Sequence, residues 1–251
     1  MNYQSTRNHR PQASSAAAVL EGIAADGGLY IRDDLSTMNF DWKGLLGEDS
    51  LTMSARILSA LLPDIPDMET LVKQGYEGKF ETDELTPLAQ VGDRYVLELF
   101  RGPTSAFKDV ALSLLPRLIT SAKTVCGVDD EIVILTATSG DTGSSAEYAL
   151  RGRPGLSVVM LTPAGRMTAF QRAQMFSLLD SNIVNVAVDG VFDDCQDLVK
   201  AINMDADFKA TWHVGAVNSI NWARLLAQVC YYVATWLRVT AEGADASSKV
   251  S

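Results

Sequence analysis

From residue 86 onward, short runs of apolar residues alternate with longer stretches in which apolar residues recur every three or four positions. The short runs are typical of strands that are buried on both faces, and the longer stretches are typical of amphipathic helices. This alternation predicts an α/β protein with a largely parallel sheet flanked by helices. The predicted strands cover residues 95–100, 131–136, 157–162 and 183–188, and the predicted helices cover residues 107–125, 143–151, 168–179, 192–203 and 221–239.

The N-terminal third of the chain shows a different pattern, in which helical stretches are separated by loops. Helices are expected near residues 50–62 and 67–78, because two prolines interrupt the periodicity between them. We therefore predict two domains. Residues 1–85 form a mainly helical domain with short strands, and residues 86–251 form the α/β domain.

Charge and composition narrow the possible functions. The 251 residues carry a formal net charge of −10, which disfavours nonspecific binding to nucleic acid or to an anionic membrane, since both require a basic face. No apolar run reaches membrane-spanning length, and the polar N-terminus lacks a signal-peptide core. Three widely spaced cysteines form no CxxC pair. We therefore expect no metal site and no disulfide framework, and we expect a reducing compartment, the cytoplasm.

A lysine stands in an apolar setting after the first predicted strand. The segment LELFRGPTSAFKD (residues 97–109) places Lys108 directly after Phe107, and Val110 follows it closely. Lysine is strongly hydrated, so this setting is unusual. Either the side chain extends to solvent from the first turn of a helix, or its amine is kept free to attack a carbonyl group.

A second candidate site follows the predicted strand 131–136, in the segment ATSGDTGSSAEYALRG (residues 137–152). Its small residues expose backbone N–H groups, and a helix N-terminus favours an anion, so Thr138, Ser139 and Thr142 are expected to bind a carboxylate or a phosphate. An ordinary N-capped turn would show the same pattern. Asp141 either caps the helix or faces a cationic or hydroxyl part of a cofactor.

A third candidate site lies in the segment GAVNSINWARLLAQ (residues 215–228). Asn218 and Ser219 precede a helix that Asn221 can cap. Arg224 falls in the first helical turn, where the helix dipole disfavours a cation, so a nearby anionic partner would explain it. The alternative is a solvated surface arginine.

These segments, in this order, resemble those of threonine synthase, a fold-type II pyridoxal 5′-phosphate (PLP) enzyme with a tryptophan synthase β-like fold. The similarity is greatest to the bacterial and fungal branch, which has LELFHGPTLAFKD and ATSGDTGSAA-YALRG at the corresponding places. NYQSTR, GIAADGGLYI and VFDDCQDLVKAI also resemble family segments. The resemblance covers nearly the whole chain, up to about residue 238.

The resemblance implies a carbon–oxygen lyase of threonine biosynthesis, which converts O-phospho-L-homoserine and water into L-threonine and phosphate. It implies that Lys108 is the catalytic lysine bonded to PLP, with Ser139 and Asp141 also at the cofactor. The implied substrate-binding residues are Thr138, Ser139, Thr142, Asn218, Ser219 and Arg224.

Two features depart from the family pattern. Arg101 stands where the family has a histidine, and the chain has roughly half to two-thirds of the usual family length. We find no Gly-rich loop for the PLP phosphate and therefore expect a C-terminally truncated fold. A truncated non-catalytic fragment and a serine/threonine dehydratase-like PLP lyase remain as alternatives.

Overall fold

The computed structural model describes residues 3–8, 12–215 and 221–241. Its N-terminal part combines a two-stranded antiparallel sheet with helices that begin at polar caps. Ser14 accepts a hydrogen bond from the N–H of Ala17, and Asp49 accepts from two N–H groups in the same way, so each helix start satisfies donors that would otherwise be unpaired. The elements of this part are β1 (Tyr3–Ser5), α1 (Ser15–Glu21), β2 (Tyr30–Arg32), a 3₁₀ turn (Lys43–Leu45), α2 (Ser50–Leu61) and α3 (Met68–Tyr76).

A separate antiparallel hairpin consists of β3 (Leu88–Val91) and β4 (Arg94–Leu97). The prediction of residues 95–100 as a strand of the parallel sheet is therefore wrong. The turn at Gly92, with φ of 64°, reverses the chain, so that β4 pairs with β3. The sequence pattern marks an extended segment but does not reveal which strand it pairs with.

The parallel sheet contains four strands: β5 (Ile132–Ala137), β6 (Leu156–Pro163), β7 (Ile183–Val188) and β8 (Val214–Gly215). Their order is β7-β6-β5-β8. At the centre, Ile134 lies opposite Val158, and both are fully buried. The three strands predicted from residue 131 onward are confirmed to within two residues, and the fold class is confirmed as α/β with a parallel sheet flanked by helices.

Helix α4 (Lys108–Cys126) lies at the centre of the hydrophobic core. It packs against α1, α3, α5 (Asp141–Leu150) and α9 (Trp222–Ala241). Leu112, Leu114 and Leu115 on α4 are at most 1% exposed, and burial of each such side chain stabilises the fold by roughly 1.5–3 kcal/mol. Because α1 and α3 also pack on α4, one core connects both parts of the chain. The domain boundary at residue 85 stays a prediction.

Three further helices complete the described chain: α6 (Ala169–Phe176), α7 (Phe192–Met204) and α8 (Ala206–Thr211). The helix predicted over residues 192–203 is confirmed, and the short helix α8 is an addition. Within the described ranges, every helix is too short or too polar to cross a lipid bilayer.

Candidate active site

Lys108 begins α4, directly after Phe107 at the N-cap position. Its side chain is 17% exposed, and its Nζ lies 5.0 Å from the centroid of the Phe107 ring. A lysine ammonium at this distance is attracted by the face of an aromatic ring. The amine is therefore partly shielded from water and does not extend freely into solvent.

A buried hydrogen-bond network fixes the chain on both sides of Lys108. Asp109 accepts hydrogen bonds from the N–H and the Oγ1 of Thr104, at 2.7 and 2.6 Å. It also accepts one from Ser145 Oγ at 2.7 Å. Asp109 is 1% exposed, and a carboxylate so deeply buried needs such partners. Because Ser145 belongs to α5, the network ties the turn before Lys108 to a second helix.

The three residues of this network were not identified from the sequence. Asp109 carries a usable signal, since an acidic residue in the first turn of a helix often accepts hydrogen bonds from nearby donors. Ser145 carries none, because only the packing of α4 against α5 brings it to Asp109.

The loop between β5 and α5 is held from within by Thr138. Its Oγ1 accepts hydrogen bonds from the N–H groups of Gly140 at 3.0 Å and Gly143 at 2.9 Å. Gly140 has φ of 150°, a conformation that strains other residues. On sequence grounds the Thr138 hydroxyl is expected to bind substrate. The structure places this residue at 3% exposure, where its oxygen shapes the loop. Its role in substrate binding stays a prediction.

Asp141 faces the candidate lysine. Its Oδ2 lies 3.8 Å from Lys108 Nζ, and its Oδ1 accepts a hydrogen bond from Gln171 Nε2 at 2.7 Å. Gly140 occupies the N-cap position and no side chain caps α5. Capping by Asp141 is therefore wrong, and its carboxylate faces the Lys108 side chain. The alternative that Asp141 faces part of a cofactor stays a prediction.

Ser139 and Thr142 lie at the N-terminus of α5, on either side of this contact. Ser139 is exposed and Thr142 is half-buried, so both hydroxyls remain within reach of a ligand. The partial positive charge of a helix N-terminus favours an anion here. The loop thus combines two hydroxyl groups, a helix dipole and, through Asp141, the Lys108 amine.

Asn218 and Ser219 lie outside the described residues, so only part of the third candidate site is in view. Asn221 is confirmed as a cap, because its Oδ1 accepts a hydrogen bond from the N–H of Ala223 at 3.0 Å. Arg224 is 5% exposed, and burial lowers the pKa of its guanidinium. The alternative of a solvated surface arginine is therefore wrong.

Arg101, which replaces a family histidine, is held by two carboxylates. It forms ion pairs with Glu81 and Glu98, both at 2.7 Å. Its guanidinium also lies 5.0 Å from the centroid of the Phe100 ring. Arg101 therefore fixes the turn that leads to Lys108.

The chain is similar to known proteins over nearly its whole length. Residues 2–76 match the family model described as threonine synthase N terminus. The chain is 48% identical over 252 residues to a threonine synthase of Corynebacterium glutamicum, covering 96% of this chain and 52% of the relative. It is 43% identical over 257 residues to a threonine synthase of Saccharomyces cerevisiae, covering 95% of this chain and 50% of the relative.

Solved structures show the same correspondence. The structure of PLP-bound threonine synthase from Brucella melitensis superposes with a TM-score of 0.88 at 38% identity, covering 97% of this chain and 53% of that one. The structure of threonine synthase from yeast superposes with a TM-score of 0.82 at 40% identity, covering 97% of this chain and 51% of that one. The chain spans about half the length of the relatives that it matches. It belongs to the threonine synthase family and corresponds to the N-terminal part of its members.

Proposed function

We propose that this chain provides the lysine and two anion-binding regions of a PLP-dependent threonine synthase. The reaction converts O-phospho-L-homoserine and water into L-threonine and phosphate. The observation that carries the proposal is the approach of Lys108 Nζ to the N-terminus of α5, with Asp141 Oδ2 at 3.8 Å. This places a shielded primary amine beside a region suited to the carboxylate of an amino-acid substrate.

The residues present fit PLP. Lys108 offers a primary amine for the aldehyde of the cofactor, next to the aromatic face of Phe107. Ser139 and Asp141 lie at the same helix end, where they can contact the cofactor ring. The related threonine synthase of Brucella melitensis was solved with PLP bound. When bound, PLP supplies an electron sink for carbanions of the substrate.

In this proposal Lys108, Asp141 and Asp109 each have a different role. Lys108 would move protons at the α and β carbons of the substrate, because its primary amine lies at the start of α4 beside the loop proposed to contact the cofactor. Asp141 holds the direction of the Lys108 side chain through their ion pair. The buried carboxylate of Asp109, by fixing the turn at Thr104, keeps the start of α4 in position.

The two ends of the substrate are assigned to different regions. Ser139, Thr142 and the N-terminus of α5 bind the carboxylate. Arg224, together with Asn218 and Ser219, binds the phosphate, because a guanidinium makes strong charge-assisted hydrogen bonds to phosphate oxygens. A buried arginine favours this assignment over a dehydratase-like lyase, whose substrate carries no phosphate.

Cytoplasmic location is part of the same proposal. Cys126, Cys195 and Cys230 are all free thiols, as is usual in a reducing compartment.

The test measures threonine and phosphate formation by the purified protein with PLP and O-phospho-L-homoserine. Lys108→Ala is expected to abolish both products, and Lys200→Gln, a change at a surface lysine with 66% side-chain exposure, is the control. Borohydride reduction followed by peptide mapping should place the cofactor label on Lys108. A label on another lysine, or full activity of Lys108→Ala, would contradict the assignment. Release of ammonia without phosphate would favour the dehydratase-like lyase.

A further inference from the structure

A cavity of about 330 Å³ opens between α4, α5 and the residues that follow α3. It is lined mainly by Lys79, Arg117, Tyr148, Arg151 and Arg153. None of these residues belongs to the Lys108 site. Arg117 lies nine residues along α4 from Lys108, which corresponds to about 13 Å of helix rise.

Three of the lining cations have no carboxylate partner among the described residues. Lys79 Nζ donates to the carbonyl oxygens of Gln74 and Gly75, at 2.6 and 3.0 Å. Arg153 Nε donates to the carbonyl of Ala149 at 3.0 Å. Arg117 Nη1 likewise donates to a backbone carbonyl, at 2.7 Å.

Arg151 at the rim differs from these three. It is paired with Asp180 at 3.0 Å, so its charge is already compensated. The uncompensated charge is therefore concentrated on Lys79, Arg117 and Arg153. In a chain of net charge −10, such a cluster does not follow from the overall composition.

Arg117 points most directly to a ligand. It is 8% exposed, and its Nε has no hydrogen-bond partner in the described part of the chain. A buried charge and a buried unpaired donor both cost folding free energy unless something satisfies them. The cavity beside Arg117 provides the space for such a partner.

The three charges also act on one another. Burial, followed by the charges of Arg117 and Arg153, lowers the pKa of Lys79 to about 8. Burial, followed by the charge of Arg153, lowers the pKa of Arg117 to about 10. An anion among these groups would favour the charged form of each of them.

We propose that this cavity binds a small phosphate-class oxyanion, either inorganic phosphate or the phosphate group of a phosphomonoester. Guanidinium forks and an ammonium group are the donors that match phosphate oxygens. The volume lies at the lower end of the range for small-molecule pockets, which suits a compact ligand. This site is separate from the substrate phosphate site assigned to Arg224, and it does not depend on the proposed activity.

The test is titration calorimetry of the purified protein with inorganic phosphate at low ionic strength and pH 7. Lys79→Gln and Arg117→Gln should each weaken binding by about tenfold or more, since a charge-assisted hydrogen bond is lost. Lys200→Gln removes the same charge from an exposed position and should leave binding unchanged. Binding should persist in Arg224→Gln, which separates this site from the substrate phosphate site.

Thermal unfolding gives a second readout, since a ligand of the native state raises its stability. Phosphate should raise the Tm of the wild-type protein more than that of either cavity variant. The same measurement is repeated with glycerol phosphate, which represents a phosphomonoester, and with acetate, which represents a simple carboxylate. Comparison with inorganic phosphate shows which of these ligand classes the cavity binds. If Arg117→Gln does not fold, Lys79→Gln decides, because Lys79 is only half-buried. No phosphate binding by the wild type, or equal binding by Lys79→Gln and Lys200→Gln, would overturn the proposal.

Discussion

The Nζ of Lys108 and the Oδ2 of Asp141 lie 3.8 Å apart, each on the first residue of its helix. The pair thus joins the N-termini of α4 and α5. Gln171 of α6 holds the other carboxylate oxygen of Asp141 at 2.7 Å. The direction of the lysine side chain is therefore set by contacts from two other helices.

Asp141→Asn should impair catalysis with little effect on stability. Asp141 is 61% exposed, and an exposed ion pair contributes about 1 kcal/mol or less. We expect kcat/KM to fall about fivefold, while the free energy of unfolding changes by less than about 0.5 kcal/mol. Steady-state kinetics and urea unfolding measure the two quantities.

Asp197→Asn is the matched control for Asp141, because Asp197 is also exposed and pairs with Lys200 at 2.8 Å. It should change neither quantity. Unaltered kinetics in Asp141→Asn would mean that the ion pair with Lys108 has no part in the reaction.

Asp109→Asn should destabilise the fold and also reduce activity. Asp109 accepts two hydrogen bonds from Thr104 and one from Ser145, and these bonds use both carboxylate oxygens. The asparagine amide has only one oxygen that can accept hydrogen bonds. We expect a loss of about 1–3 kcal/mol in the free energy of unfolding. Ser145→Ala removes one donor only and should cost less. Equal stability of Asp109→Asn and wild type in urea unfolding would show that the network does not fix this turn.

Arg224→Ala should raise the KM for O-phospho-L-homoserine far more than it weakens PLP binding. A lost charge-assisted phosphate contact costs roughly 1.5–3 kcal/mol, or about 10- to 150-fold in KM. Cofactor absorbance and initial rates measure the two effects. Arg238→Ala, on the same helix and paired with Glu84 at 3.3 Å, is the control. An unchanged kcat/KM for Arg224→Ala would remove Arg224 from the substrate site.

Glu147 should make stability depend on pH. It is fully buried on α5. Burial raises its pKa to about 7, and Asn185 partly counteracts the shift. Between its ordinary pKa of 4.5 and 7, the folded state binds a proton that the unfolded state has lost. The free energy of unfolding therefore falls by about 3 kcal/mol in total as the pH rises through this range. Above this range the contribution of Glu147 no longer changes with pH.

Glu147→Gln should abolish that contribution. The variant is expected to be more stable than wild type at pH 8, and the difference should shrink towards pH 5. Chemical denaturation at several pH values measures this, with Glu69→Gln on the exposed face of α3 as the control. A constant difference across the range would show that Glu147 does not titrate between these limits.

Local sequence determined much of the fold and the centre of the candidate site. The strands at residues 132–137, 156–163 and 183–188 were predictable because buried parallel strands are nearly continuous apolar runs. The helix starts at Lys108 and near Asp141 were predictable from two local motifs. These features depend on neighbouring residues, and neighbouring residues are what a sequence pattern records.

Tertiary structure decided the features that depend on distant pairing. It placed residues 94–97 in a hairpin instead of the parallel sheet. It brought Ser145 to Asp109, and it gathered Lys79, Arg117 and Arg153 around one cavity. A lone lysine or arginine in a sequence looks like a solvated surface residue. Only the packing of α4 against α5 and α3 removes these cations from water without supplying carboxylates. That desolvation raises the free-energy cost of their charges and lowers their pKa values.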